Sequence, residues 1–327
     1  MDQILPISLR AVSKWYGAVI GVNEVSLDVE PGITGLLGPN GAGKSTLMKL
    51  ITGQLRPSLG DALVLGRPVA ASAAARRHVG FLPEVDAFYE EMTGRRFVYT
   101  MARLSGLTRA DARRSVEAAL ARTGMIDRAA KPLKGCSKGM RQRIKLAQAL
   151  VHDPLVLVLD EPLTGIDPPG RLELMALFRE LRDEGKTILV STHILHEVEA
   201  ITDRIVLMAR GRVLASGTLG RIRELLEEHP LTVRIVSDRT RALAAALLRL
   251  GAVAGVALGE TGNGQETGGG EIIVKARKPA ELFRELPGVV TSLGARVERV
   301  EALDASVEAV FGYLVSTAGF GSEGSGA

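Results

Sequence analysis

The chain has 327 residues, of which 46% are hydrophobic and 24% are charged. This length fits two domains, and this balance is typical of a folded globular protein rather than a disordered, collagen-like or membrane-spanning one. The 41 basic and 37 acidic residues leave a net charge of only +4, so we expect no nucleic-acid partner. A single cysteine excludes an internal disulfide and a Cys-based zinc site, and no signal-peptide pattern opens the chain. We therefore expect a reducing, cytoplasmic location.

The first two-thirds of the chain alternate β-rich runs with helical patterns, which predicts an α/β fold with a helix-covered sheet. Residues 7–14 and 22–30 alternate apolar and polar side chains, which predicts an antiparallel pair of strands. Residues 155–159 and 187–190 are continuous apolar runs, as expected for strands buried in a parallel sheet. No apolar run approaches the roughly 18 residues needed to cross a bilayer.

A helical insert is predicted within this first part, over about residues 86–150. Apolar residues recur at helical spacing over 93–123, with a break at Gly106-Leu107-Thr108. Thr108 is a good N-cap residue, because its hydroxyl can accept from an early N–H group of the next helix. We therefore predict two helices on either side of this break.

The character of the chain changes near residue 218, so we predict a first domain over 1–218 and a second over 219–327. A Glu- and Arg-rich helix over 219–228 joins them. The second domain is predicted as α+β, with strands over 231–236, 271–276 and 295–300 and helices over 240–250, 279–286 and 304–314. The glycine-rich stretch 259–270 predicts a flexible hairpin loop, and 319–327 predicts a frayed tail.

Residues 38–45 read Gly-Pro-Asn-Gly-Ala-Gly-Lys-Ser, which matches the phosphate-loop pattern G-x-x-x-x-G-K-[ST]. A strand-like run over 33–37 precedes the loop and a helical run over 46–51 follows it, so an incidental glycine-rich turn is the weaker alternative. Such glycines let backbone N–H groups surround phosphate oxygens at a helix N-terminus. We therefore predict ATP and Mg²⁺ as cofactors, with Lys44 on the phosphates and Ser45 on the metal. The predicted nucleotide-binding residues are Gly38, Pro39, Asn40, Gly41, Ala42, Gly43, Lys44, Ser45 and Thr46.

Two carboxylates, Asp160 and Glu161, follow the apolar run 155–159. The carboxyl ends of parallel strands form the ligand crevice of such a sheet. There Asp160 would act through Mg²⁺, and Glu161 would orient or deprotonate the attacking water. A solvated strand end is the alternative, which the phosphate loop on the same sheet disfavours.

His193 follows the predicted strand 187–190 at this same edge, where its side chain can reach the γ-phosphate. The other four histidines are interpreted as structural or surface residues, which is the commoner role.

These motifs, together with Cys136-Ser137-Lys138-Gly139-Met140-Arg141-Gln142-Arg143 and Gly165-Ile166-Asp167, occur in the order found in ATP-binding subunits of ABC transporters. The chain resembles this family over roughly residues 4–218. The resemblance implies a P-loop NTPase (RecA-like) core with antiparallel β and helical subdomains, which hydrolyses ATP. It also implies a head-to-tail dimer in which each ATP lies between one phosphate loop and the signature residues Ser137, Lys138, Gly139 and Met140 of the other copy.

Further residue roles follow from the resemblance. Tyr16 matches the aromatic residue that stacks on adenine, with Trp15 as the rival. Asp167 matches the loop between the two sites, and His193 matches the switch histidine. A groove between subdomains receives a short helix of the membrane subunit, so Phe88 and Tyr89 are candidate contacts, although ordinary packing of the helical insert explains them equally well.

The sequence also departs from the family. Glu84 stands where the family usually has a glutamine that contacts Mg²⁺ and links the site to the permease. The resemblance therefore implies a metal and coupling role for Glu84, with a negative charge in place of a neutral amide. Lys138 replaces a glycine and Met140 a glutamine in the signature. These variants resemble an exporter branch serving drug, sodium, gliding and copper-related systems.

The resemblance implies an ATPase subunit that drives transport, with export as the expected direction, through a separate integral-membrane permease. We expect a homodimer that lies on the cytoplasmic face of the membrane. The alternatives are a soluble ABC ATPase of translation or DNA maintenance and a nucleotide-gated regulator.

Overall fold

The computed structural model describes residues 4–218, 231–259 and 270–303. The chain divides into two compact units, Met1–Thr218 and Leu219–Ala327. Some predictions lie outside the described residues: the helices over 219–228 and 304–314, the loop between Gly259 and Gly270, and the tail over 319–327.

The first unit contains ten strands and seven α-helices in its described part, residues 4–218. In chain order they are β1 (Ile7–Tyr16), β2 (Val19–Val29), β3 (Ile33–Leu37), α1 (Lys44–Ile51), β4 (Leu59–Val64), β5 (Arg67–Pro68), α2 (Ala73–Arg76), β6 (Val79–Leu82), α3 (Gly94–Leu104), α4 (Arg109–Arg122), α5 (Lys138–Leu150), β7 (Val156–Asp160), α6 (Pro168–Asp183), β8 (Thr187–Thr192), α7 (Leu195–Glu199), β9 (Arg204–Ala209) and β10 (Arg212–Thr218). A 3-10 helix, Leu133–Gly135, precedes α5.

Two sheets build this unit. The antiparallel sheet has the order β2-β1-β4-β5, and the pairing of Ile7 with Val29 confirms the predicted antiparallel pair. The main sheet has the order β10-β9-β3-β8-β7-β6, in which β6, β7, β8, β3 and β9 run parallel. Every residue of β3, β7 and β8 is buried, which explains the apolar runs 155–159 and 187–190 that overlap β7 and β8. The carboxyl ends of these three strands therefore meet at one edge.

The helical insert consists of α3, α4 and α5, which share one apolar core. Phe97, Leu120 and Ile144 are buried members of that core, one from each helix. Side-chain caps start the helices as predicted, since the Thr108 hydroxyl accepts from the Asp111 N–H group at 3.1 Å. The helices begin at Gly94, eight residues beyond the predicted start of the insert at 86.

The described part of the second unit has the order β-α-β-β-α-β, which is the ferredoxin-like arrangement. Its elements are β11 (Leu231–Ser237), α8 (Thr240–Leu247), β12 (Val253–Leu258), β13 (Gly270–Ala276), α9 (Pro279–Leu293) and β14 (Val297–Ala302). All pairings in the sheet β12-β13-β11-β14 are antiparallel. The sequence missed β12, because its run Val-Ala-Gly-Val-Ala-Leu lacks polar alternation and carries Gly255 in the middle.

Helix α9 continues seven residues past the predicted end at 286, through Pro287. A proline normally ends a helix, but here the Thr291 hydroxyl donates to the Pro287 carbonyl at 2.8 Å within the continuing turns. Across residues 4–218, 231–259 and 270–303, no helix combines the length and the apolar character that a bilayer span requires.

Candidate active site

The phosphate loop lies between the end of β3 and the start of α1. Gly41 and Gly43 have φ angles of +80° and +100°, which favour glycine. A Cβ atom on Gly43 would lie 2.4 Å from the Gly21 carbonyl oxygen, and one on Gly38 would lie 2.3 Å from the Met208 carbonyl oxygen. Gly43 is therefore required by both conformation and space, Gly41 by its conformation and Gly38 by the space around it. Gly43 is the N-cap of α1 and provides no side-chain cap, so early N–H groups of α1 are available to an anion.

Lys44 is buried, with 7% of its surface exposed. Its Nζ donates to the carbonyl oxygens of Gly38 at 2.6 Å and Pro39 at 3.2 Å, which draws the side chain along the loop. Burial lowers the pKa of the Lys44 ammonium, and the carboxylates of Glu161, Asp160 and Glu84 act in the opposite direction. The loop thus places one cation between backbone carbonyls and a group of acids.

The paired carboxylates are fixed by a serine on the neighbouring strand. Asp160 lies opposite Ser191 in the parallel register of β7 and β8. The Ser191 hydroxyl donates to Asp160 Oδ1 and accepts from the Glu161 N–H group at 3.0 Å. Gln142 of α5 donates to the Glu161 carbonyl oxygen at 2.8 Å. These bonds hold Glu161 at a φ of +49°, a left-handed conformation that is costly for a side-chain-bearing residue.

Glu161 and His193 meet at this edge, as their positions in the sequence predicted. Oε1 of Glu161 lies 3.0 Å from Nδ1 of His193, and Thr164 donates its hydroxyl to the other carboxylate oxygen at 3.2 Å. The Glu161 side chain is only 10% exposed, whereas that of His193 is 47% exposed. The carboxylate is therefore oriented from both sides at the base of the crevice.

One cleft of about 450 Å³ joins these parts. The phosphate loop from Asn40 to Thr46 lines it together with Glu84, Asp160 and Glu161. Among the described aromatic residues, Tyr16 alone lines the cleft, and its ring lies over Gly21, where a Cβ would be 2.8 Å from Cε2. Trp15 is not among the residues that line the cleft.

The donors in the cleft fit a magnesium ion. Ser45, Asp160 and Glu84 line the same cleft and supply hydroxyl and carboxylate oxygens, which are the ligands that Mg²⁺ prefers. No cluster of three or more His, Cys, Asp or Glu side chains suited to a metal occurs in the described residues.

The signature residues lie apart from this cleft, because Ser137–Met140 are not among the residues that line it. The Ser137 hydroxyl caps α5 by accepting from the Met140 N–H group at 3.2 Å. A Cβ on Gly165 would be 3.2 Å from the Cβ of Lys138, so the signature packs on the turn that leads to Asp167. Asp167 is the N-cap residue of α6.

A buried network at the end of β8 escaped sequence reasoning. Glu197 is 5% exposed, and its carboxylate accepts from Thr192 at 3.0 Å and from Arg171 at 2.8 Å. Arg171 also donates from Nε to the Ile166 carbonyl oxygen at 3.0 Å. The network joins the strand that carries His193 to the turn before Asp167. Its only sequence signal is an acid four residues after a histidine, which is too common to be informative.

The two candidate partner contacts differ in the structure. Phe88 packs edge-on against Phe97, with ring centroids 4.9 Å apart, so it belongs to the packing of the insert. Tyr89 is 62% exposed. A separate groove of about 450 Å³, lined among others by Arg76, Leu104 and His152, lies elsewhere on the first unit.

A phosphate loop and paired carboxylates at the carboxyl edge of a parallel sheet define a P-loop nucleotide hydrolase. Comparison with known proteins gives the family. The family model "ABC transporter" matches residues 22–164. YxlF of Bacillus subtilis, an ABC transporter ATP-binding protein, is 36% identical over 70% of this chain and 76% of its own length. The chain therefore belongs to the ABC transporter family as an ATP-binding protein, and it is an ATP hydrolase of that class.

Other relatives agree. An ABC transporter ATP-binding protein of Synechocystis is 41% identical over 66% of this chain and 65% of its own length, so the match spans slightly less than two-thirds of that relative. The Nod factor export ATP-binding protein I of Burkholderia orbicola is 40% identical over 65% of this chain and 71% of its own length.

Solved structures confirm the predicted fold class. An ATP-binding subunit of an ABC transporter is similar with a TM-score of 0.62 and 32% identity, over 67% of this chain and 92% of that one. CbiO1 from Clostridium perfringens is similar with a TM-score of 0.58 and 30% identity, over 68% of this chain and 95% of its own.

Proposed function

We propose that the chain is the ATPase subunit of an ABC transporter and that it works as a head-to-tail homodimer closing on MgATP. One observation carries this proposal: the cleft contains the phosphate loop, Tyr16 and the acid pair, while the signature lies outside it. A second copy that offers its signature would complete each site. In this assignment residues 1–218 are the ATPase domain and 219–327 an accessory domain.

The residues of the cleft divide the chemistry among them. The loop N–H groups and the Lys44 ammonium bind the β- and γ-phosphates and stabilise the charge that develops on them. Bound Mg²⁺ would supply further charge neutralisation, held by Ser45 and Asp160 with Glu84 on its water shell. Glu161 accepts a proton from the attacking water, and His193 orients that carboxylate through the 3.0 Å contact with Oε1. Asp167 and the signature, including Lys138 and Met140, would read the state of the partner's site.

The transport role is supported by the relatives rather than by the cleft. The Burkholderia relative is named for Nod factor export, which supports export through a separate integral-membrane permease. The chain would then lie on the cytoplasmic face of the membrane. The groove lined by Arg76, Leu104 and His152 is large enough for a few side chains of a permease helix, and Tyr89 remains a contact candidate.

The experiment is affinity purification of the full chain from native membranes, with ATP turnover measured for the recovered complex. We expect a multi-span membrane protein to co-purify and ATP to be hydrolysed by a dimer. Recovery of ribosomes or DNA would instead support the soluble ATPase of translation or DNA maintenance. Recovery of the chain alone, with hydrolysis intact, would contradict the permease partner and favour a nucleotide-gated regulator.

A further inference from the structure

A buried lysine of the signature helix holds the segment that carries Glu84. Lys145 lies on α5, and its side chain is 3% exposed. Its Nζ donates to the Pro83 and Glu84 carbonyl oxygens, each at 2.9 Å, and it pairs with Asp86 Oδ1 at 3.0 Å. An ammonium has three N–H donors, so the three partners match its full capacity. A buried cation with all of its donors committed to one short segment fixes the position of that segment.

Arg141, one turn earlier on the same helix, holds the continuation of this segment. Its guanidinium makes paired bonds of 2.8 and 2.7 Å to the Glu90 carboxylate and lies 5.6 Å from the centre of the Phe88 ring. The Arg141 guanidinium also holds the pKa of the Glu90 carboxyl below its ordinary value. Asp86 is within 3.5 Å of Arg141 and therefore bridges the two basic residues. Residues 83–90 are thus attached to α5 at two points.

The contacts of Lys145 connect the nucleotide cleft with the helix that follows the signature. Glu84 lines the nucleotide cleft. Helix α5 begins at Lys138 with Ser137 as its cap, so it presents the signature.

We propose that Lys145 is a positioning residue: by holding segment 83–86 it directs Glu84 into the cleft, where Ser45 and Asp160 would hold Mg²⁺. This inference rests on the proposed function, because it assigns Glu84 to the shell of the metal that accompanies ATP. Without the three bonds of Lys145, the carbonyl groups of residues 83 and 84 are released and the Glu84 carboxylate is no longer directed at the cleft.

The chain provides a matched control for a merely structural lysine. Lys186 is 8% exposed, and its Nζ contacts the Asp153 carboxylate and the Pro154 carbonyl oxygen. It has the same chemistry as Lys145, a buried ammonium on a carboxylate and a carbonyl, but neither partner lines the nucleotide cleft.

The experiment measures metal affinity without turnover. Mn²⁺ is titrated into the full chain saturated with the non-hydrolysable analogue AMP-PNP, and free Mn²⁺ is followed by electron paramagnetic resonance. We expect Lys145→Met to raise the Mn²⁺ dissociation constant about ten-fold, as is typical when support for a metal ligand is lost, and Lys186→Met to change it less than about two-fold. Equal effects of the two variants would overturn the proposal. If Lys145→Met does not fold, Asp86→Asn replaces it with an expected rise of about three-fold, and an unchanged affinity overturns the proposal.

A double-variant series tests that Lys145 acts through Glu84. Glu84→Ala alone should weaken Mn²⁺ binding, and adding Lys145→Met should weaken it no further. Independent, multiplying effects, or an unchanged affinity in Glu84→Ala, would contradict the proposal. Hydrolysis that does not depend on Glu161 would refute the proposed function, whereas the Mn²⁺ titration still reports on Lys145.

Discussion

The two units of the chain bury different kinds of side chain. Lys44, Lys145, Asp160, Glu161 and Glu197 are all less than 9% exposed in the first unit. In the described part of the second unit, Ser237 is the one buried polar side chain, within a core of aliphatic residues. Burying charge is costly unless each group is paired. Lys44, Asp160 and Glu161 line the nucleotide cleft, whereas Lys145 and Glu197 are paired with groups outside its lining. Among the described residues, burial of charge is therefore confined to the unit that contains the nucleotide cleft.

The largest expected effect comes from the phosphate loop. Gly43→Ala would force a Cβ to within 2.4 Å of the Gly21 carbonyl oxygen at a φ of +100°, so the loop must move. We expect ATP affinity to fall by a factor of about 100, corresponding to about 2.7 kcal/mol, when measured with a fluorescent ATP analogue.

Gly185→Ala is the matched control, because Gly185 has a φ of +88° but open space around its Cα. It should cost about 1–2 kcal/mol of stability for the left-handed backbone and leave ATP affinity unchanged. A loss of affinity in Gly185→Ala equal to that of Gly43→Ala would show that backbone strain, and not the shape of the loop, explains the first result.

The next effect compares one buried serine from each unit. Ser191→Ala removes the hydroxyl that contacts Asp160 and Glu161, so we expect ATP turnover to fall about 10- to 100-fold and the free energy of unfolding to fall by about 1–3 kcal/mol. Ser237→Ala removes an acceptor 3.3 Å from the Arg239 N–H group and should lower stability alone. Steady-state kinetics and chemical denaturation decide between the two. Equal losses of turnover in Ser191→Ala and Ser237→Ala would show that the two buried serines do not differ in their effect on catalysis.

A smaller effect is expected at the adenine side of the cleft. Tyr16→Ala should raise the KM for ATP about ten-fold, because stacking of a base on an aromatic ring contributes about 1–3 kcal/mol. Trp15→Ala should change the KM less than about two-fold, since Trp15 does not line the cleft. The reverse order of the two KM values would identify Trp15 as the stacking residue.

The smallest effect is a pH dependence of stability. Burial lowers the pKa of His152 below 6.5, and its Nε2 contacts the Val79 carbonyl oxygen at 3.1 Å. The unfolded chain therefore binds the proton more tightly than the native one, so His152 stabilises fully above pH 6.5 and less as the pH falls towards its lowered pKa. Thermal unfolding of His152→Gln should show a shallower loss of stability below that pH than the native chain. Parallel curves for the two proteins would contradict the assigned pKa direction.

Sequence alone predicted the features that depend on a local pattern of residues, such as apolar runs, the phosphate loop and helix caps. Continuous apolar runs predicted β7 and β8, because both faces of a parallel sheet are buried. The phosphate loop follows β3, and the acid pair lies at the end of β7. Their convergence at one edge was predicted because the carboxyl ends of parallel strands form the ligand crevice. The same reasoning placed Thr108 at the start of α4.

Other features depend on distances that no local pattern encodes. Ser191 and Gln142 hold Glu161 across gaps of 30 and 19 residues in the chain. Lys145 contacts segment 83–86 across about sixty residues of sequence, and it stands in an ordinary amphipathic helix. Phe88 is an aromatic residue of the kind found at contact surfaces, so the sequence could not decide between a partner contact and internal packing. The structure shows that Phe88 packs against Phe97 within the helical insert.

In the proposed function, Glu161 activates the water that attacks ATP in this cleft. The most direct measurement is single-turnover hydrolysis of bound ATP by the native chain and by Glu161→Gln, with ATP affinity measured for both. We expect Glu161→Gln to bind ATP as tightly as the native chain and to hydrolyse it about 10²- to 10⁴-fold more slowly. Hydrolysis at the native rate by Glu161→Gln, with ATP bound, would show that Glu161 does not activate the attacking water.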